Sequence, residues 1–196
     1  DGDLTVDTAT LKLNGTGAEH TVAAKEIKLA DSADKANANL DVAGGTWSVG
    51  SLTVTKGIAD IYGGSTLVVN GDLTTTDENS IIKVREASTL DATGASKLTL
   101  KSGSSDASTL DVQGGSTLEV NAAQVFTISG NTATLTDGSG TGKDAIDTKA
   151  IKLSSDSVLK FSVADDFKIN QEQLDSLITA LGTNATVEGF ISFEDA

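Results

Sequence analysis

Side chains able to do acid–base, nucleophilic or metal chemistry are scarce in this chain. His20 is the sole histidine, Tyr62 the sole tyrosine and Arg85 the sole arginine, and cysteine is absent. His20 stands in Ala18-Glu19-His20-Thr21 with no second histidine at metal-ligand spacing. Histidine catalysis needs an orienting partner and a nucleophile, so His20 is read as a solvated surface side chain. Without thiols there is no disulfide framework, thiolate metal site or cysteine nucleophile.

Carboxylates are the one plentiful reactive group. Asp165-Asp166 and Asp31 with Asp34 are the pairs worth testing for glycosidase chemistry. Acids adjacent on a strand project to opposite faces, whereas glycosidase carboxylates must face each other across roughly 5–9 Å, so neither pair is assigned a catalytic role. The loop Asp137-Gly138-Ser139-Gly140-Thr141-Gly142-Lys143-Asp144 has the texture of a phosphate loop. It has Asp137 where that motif needs Gly and Asp144 where it needs Ser or Thr, and both acids would repel phosphate. A plain turn is expected there, with Ca²⁺ uptake by its acids and carbonyls the alternative, although neither the EF-hand nor the nonapeptide calcium spacing is present. Asn14-Gly15-Thr16 and Asn184-Ala185-Thr186 fit the N-glycosylation triplet, which recurs by chance in an Asn/Thr-rich chain. No catalytic, cofactor-binding or metal-binding residue is assigned, no cofactor is expected beyond that calcium alternative, and the chain is not expected to be an enzyme.

Charge narrows the partners. A formal net charge of −14 with a single arginine would repel a phosphate backbone, and nucleic-acid binding is set aside. No apolar run approaches the roughly 20 residues that span a bilayer, so membrane insertion of this segment is not expected. With no methionine, the chain reads as a processed form or a piece of something longer.

The elements that would carry these residues are short strands. Leu11-Lys12-Leu13, Ile27-Lys28-Leu29, Leu52-Thr53-Val54, Leu98-Thr99-Leu100 and Leu118-Glu119-Val120 alternate apolar and polar residues, as a half-buried strand does. Turn signals separate them, including Asn14-Gly15, Gly44-Gly45, Gly63-Gly64, Asn70-Gly71 and Gly114-Gly115. The pieces recur. Gly63-Gly64-Ser65-Thr66-Leu67-Val68-Val69-Asn70 is echoed by Gly114-Gly115-Ser116-Thr117-Leu118-Glu119-Val120-Asn121, with partial copies at Gly44, Ser88 and Ser108. Recurrence on a scale of roughly 20 residues predicts a parallel β-helix of about eight coils, a rod roughly 40 Å long with Thr, Ser and Asn ladders on its outer faces. A two-sheet β-sandwich is the alternative. One Trp, one Tyr and five Phe leave the core to Leu, Val, Ile and Ala, which suits a narrow interior.

The C-terminal stretch differs. Four of the five Phe lie after residue 160 and the Gly-Gly corners stop. Asn170 as N-cap, Leu174, Leu177, Ile178 and Leu181 on one face and Gly182 at C′ predict a helix over about 170–181, followed by a strand from Ala185 to Phe193. The expected division is a solenoid over 1–163 and a capping or junction element over 164–196.

The Gly-Gly-Ser/Thr-x-x-Val corners and Leu-x-Val-x-Gly runs, set in a Cys-free acidic chain, resemble passenger domains of autotransporter adhesins and related bacterial surface proteins. The likeness covers roughly residues 38–130 and is one of repeat style, so no functional residue is carried over. It implies a right-handed parallel β-helix, exported and displayed at the outer-membrane surface, serving adhesion, self-association or biofilm formation. A glycan, a host-surface protein or a second copy is then the expected partner. A carbohydrate-active β-helix enzyme and a passive S-layer or stalk segment are the competing readings.

Overall fold

The computed structural model describes residues 2–32, 38–95, 98–101, 108–121, 126–129, 132–135, 151–153, 158–163, 171, 175 and 190–195. Over them the chain winds as an all-β parallel solenoid. The first coil sets β1 (Leu4–Val6), β2 (Thr10–Asn14) and β3 (Glu19–Thr21) on three successive faces, and the second repeats them as β4 (Glu26–Ala30), β5 (Asn39–Ala43) and β6 (Thr46–Val49). The third coil fuses the first two positions into β7 (Ser51–Tyr62), followed by β8 (Thr66–Val69). Then come β9 (Leu73–Thr75), β10 (Ser80–Val84) and β11 (Thr89–Ala92), and after them β12 (Leu98–Thr99), β13 (Thr109–Val112) and β14 (Thr117–Asn121). An antiparallel hairpin of β15 (Phe126–Ser129) and β16 (Thr132–Leu135) interrupts the winding before β17 (Ile151–Leu153), β18 (Val158–Val163) and β19 (Phe190–Asp195) continue it.

Each face is a stack of parallel strands. Face 1 runs β1-β4-β7-β9-β12. Face 2 runs β2-β5-β7-β10-β13-β17. Face 3 runs β3-β6-β8-β11-β14-β18-β19. Parallel stacking on all three faces is incompatible with an antiparallel sandwich and selects the solenoid. Because β7 belongs to faces 1 and 2, those faces form one ten-stranded sheet. Gly57 lets β7 turn that corner, since a Cβ there would lie 2.1 Å from the Ala38 carbonyl oxygen.

The even coil of about 20 residues does not hold. Hydrogen bonds between successive coils span 21 positions at Asn70–Val49 but 29 at Asn39–Thr10. Extra length enters between faces 1 and 2, after β4 and after β12, and again between β14 and β17 and between β18 and β19. Face 3 accordingly carries seven strands over the described residues, not eight within the first 160.

Alternation fills the interior. Ile27, Leu52, Leu73 and Leu98 stack in register on face 1, Leu40, Ala59, Ile82 and Leu110 on face 2, and Leu67, Leu90, Leu118 and Leu159 on face 3, all buried. Each fully buried Leu or Ile stabilises the fold by about 2–3 kcal/mol relative to exposure, and the in-register stack repeats that gain coil by coil. The recurrent Gly-Gly pairs are the corners between faces 2 and 3. Gly44-Gly45, Gly63-Gly64 and Gly114-Gly115 all have positive φ, and the equivalent position of the fourth coil holds Glu86 (φ 59°) and Ala87 (φ 57°).

At three of these four corners a serine follows, and it points inward, not onto the outer face as expected. Ser65, Ser88 and Ser116 are buried. The Ser65 N–H donates to Ser88 Oγ (3.2 Å), the Ser88 N–H donates to Ser116 Oγ (3.3 Å), and Ser65 Oγ donates within reach of the Val42 and Tyr62 carbonyls. A buried corner N–H needs an acceptor, and a hydroxyl is small enough to supply one beside the next coil.

Of the helix expected over about 170–181 only Gln171 and Asp175 are described. Both have helical backbone, and their side chains are hydrogen bonded at 2.7 Å. The remainder lies outside the described residues, as does residue 164, where the C-terminal element was expected to begin. The strand expected from Ala185 is described only as β19, which adds a rung to face 3 beside β18.

Candidate interaction faces

His20 is not a solvated surface residue. The register of β3 on β6 on β8 puts His20 over Trp47 over Leu67 in the inward column of face 3. The imidazole stacks on the indole with ring centroids 4.5 Å apart, and its buried Nε2 has no hydrogen-bond partner. Trp47 Nε1 donates to the Gly44 carbonyl at 3.0 Å. Gly15 closes the site, since a Cβ there would come within 2.6 Å of His20 Nε2. The sequence neighbours of His20 are polar, so only the inter-coil register reveals its inward position.

Face 2 carries a column of charge. Lys12, Asp41, Asp60, Lys83 and Asp111 are register partners on successive rungs, and the column continues to position 152 of β17, a lysine. Like charges on adjacent rungs would stand about 4.8 Å apart, so mixing signs lowers repulsion along the stack. Its one like-charged step, Asp41 to Asp60, is relieved by Arg85. The guanidinium donates to both Asp60 oxygens, from Nε at 2.9 Å and from Nη2 at 3.1 Å, and lies 4.5 Å from the centre of the Tyr62 ring. Its Nη1 also pairs with Glu86. Hydrogen bonding to Asp60 shifts Arg85 further toward its charged form. The sole arginine and sole tyrosine thus meet in one ion-paired cluster.

Face 3 is different. Its outward columns from β3 to β14 are Glu19, Thr46, Thr66, Thr89 and Thr117, and beside them Thr21, Ser48, Val68, Asp91 and Glu119. None of these is a cation. The threonine hydroxyls of rungs 46, 66, 89 and 117 are not hydrogen bonded to other described residues. The sequence signal for this array was present in the repeated Gly-Gly-Ser-Thr-Leu, which fixes Thr one position after the inward Ser. The Asp60–Arg85–Tyr62 cluster was not legible, because Arg85 lies one coil beyond Asp60 and Tyr62.

Two further carboxylates, Asp7 and Asp77, are satisfied by neighbouring donors. The Ser32 hydroxyl (2.6 Å) and N–H (3.0 Å) donate to Asp7 and hold its carboxyl below the usual range. The Asn79 N–H does the same for Asp77 at 2.9 Å. Asp31 is buried, while Asp34, Asp165, Asp166, the 137–144 loop and the Asn184 triplet lie outside the described residues. Asn14 ends β2 and is exposed. Among the described residues no group of three or more His, Asp or Glu is placed to hold a metal ion. The chain is a repeat-built β-solenoid whose organised polar features are columns along the stack. No family model, no curated protein and no solved structure matches the chain.

Proposed function

We propose that this chain is a non-catalytic structural and adhesive module, exported and displayed at a bacterial cell surface, where it attaches to a surface ligand or to further copies of itself. One observation carries the reading. Side chains on the outer faces are held in register from coil to coil, so a weak polar contact on one rung is repeated on the next, and repetition converts weak contacts into useful avidity. Arg85, Asp60 and Tyr62 meet in one cluster, and Ser65, Ser88 and Ser116 sit buried at the corners. The acidic surface opposes side-by-side association of rods, which should strengthen as salt screens it.

The test is attachment and self-association of the purified chain. Beads coated with it should bind cell monolayers above albumin-coated controls, or its sedimentation should shift upward with added salt or Ca²⁺. A chain that neither attaches nor changes its sedimentation is not an adhesive module.

A further inference from the structure

We infer that face 3 is the docking surface, and that its occupant is an extended, uncharged polysaccharide lying along the solenoid axis over Thr46, Thr66, Thr89 and Thr117. The inference rests on the adhesive reading and names its ligand class and its face. The four threonines are register partners on consecutive rungs, so their hydroxyls repeat at about 4.8 Å and cover roughly 14 Å of the axis. Each hydroxyl both donates and accepts, and none is used within the protein by a described residue. A sugar chain in extended form offers hydroxyls at a comparable repeat.

Charge selects among occupants. From β3 to β14 the outward columns hold Glu19, Asp91 and Glu119 and no Lys or Arg. An anionic polymer meets only repulsion there. A second copy docked face to face would oppose these acids to their own counterparts. An apolar partner finds Val68 alone. A neutral, hydroxyl-rich chain meets threonine hydroxyls that exchange hydrogen bonds with it. Faces 1 and 2 lack this uniformity, since face 1 inserts Lys28 between Thr5 and Thr53, and face 2 carries the paired charges.

The experiment titrates the full chain with cellohexaose, chitohexaose and mannohexaose, with polygalacturonate as the anionic control, and follows backbone amide shifts. At least one hexaose is expected to bind and to shift β6, β8, β11 and β14 amides, while polygalacturonate does not. In the T66V/T89V double variant, which keeps β-branched shape and loses two hydroxyls, binding should weaken at least tenfold. The K12Q/K83Q variant on face 2 should bind as the parent does. Circular dichroism of each variant reports retained folding. If no hexaose binds, or if binding survives T66V/T89V, the inference is overturned. Bead attachment separates the two levels. Attachment without hexaose binding removes the glycan on face 3 and leaves the adhesive reading standing, and loss of both removes both.

Discussion

Replacing the Glu86-Ala87 corner by Gly-Gly should stabilise the protein, and the size of the gain follows from the backbone. Glu86 and Ala87 occupy the left-handed region at φ 59° and 57°, where their counterparts Gly63 and Gly64 both sit at φ 69°. An L-residue in that region costs about 1–2 kcal/mol, whereas introducing Gly adds about 0.4–1 kcal/mol of unfolded-state entropy. Ala87 is exposed, so Ala87→Gly sacrifices no packing and should gain about 0.5–1 kcal/mol. The reverse substitutions Gly64→Ala and Gly115→Ala should lose a similar amount, because a Cβ at either site has nothing within 4 Å and the effect is purely conformational. At Gly44 a Cβ would also lie 2.5 Å from the Gly15 carbonyl oxygen, so Gly44→Ala should cost more, about 2–3 kcal/mol. Urea unfolding by circular dichroism, read as midpoint shifts at constant slope, measures all four. If Ala87→Gly destabilises as Gly64→Ala does, the left-handed corner is not what the repeated glycines are for.

Three further outcomes are expected. Ser88→Ala removes the acceptor of the buried Ser65 N–H and should cost about 1–3 kcal/mol in the same unfolding assay, and an unchanged midpoint would show that the corner hydroxyl contributes nothing. A double-mutant cycle of Asp60→Asn and Arg85→Gln should give a coupling of about 1 kcal/mol that shrinks in high salt, since the pair is partly exposed; a coupling insensitive to salt would contradict a screened ion pair. Asp7 and Asp77 have carboxyls depressed by Ser32 and Asn79, so their contributions are complete above the ordinary carboxylate value of about 4 and vanish as pH falls through the depressed folded values. The acid limb of the stability profile should therefore flatten in Asp77→Asn, and an unchanged limb would show that the Asn79 contact contributes nothing.

The strands and corners could be read from local order. Leu67, Leu90 and Leu118 announce themselves by alternation and by the Gly or Ser that precedes them, and in-register stacking follows once the repeat is seen. Coil length could not be read in the same way, because insertions after β4 and β12 carry no alternation and shift the spacing without altering the repeat. His20 was misplaced for a related reason. A residue's direction in a three-residue strand is set by the coil beside it, and Trp47 lies in that coil. The buried serines were misread because Ser is usually exposed, and only the corner's unpaired N–H explains why it is not. Lys12 with Asp41, and Asp60 with Arg85, are neighbours solely through winding.

The continuous strand β7 has a consequence for how the molecule comes to be wound. A chain that wraps coil on coil needs a first coil to wrap against, and the cost of closing each turn grows with the residues between paired positions. The turns on either side of β7 are the short ones, as Leu40 meets Ala59 and Leu52 meets Leu73 with no inserted loop at the corner between faces 1 and 2. The third coil is therefore the expected nucleus, with winding spreading from it toward both ends and β7 amides gaining protection first in pulsed hydrogen exchange.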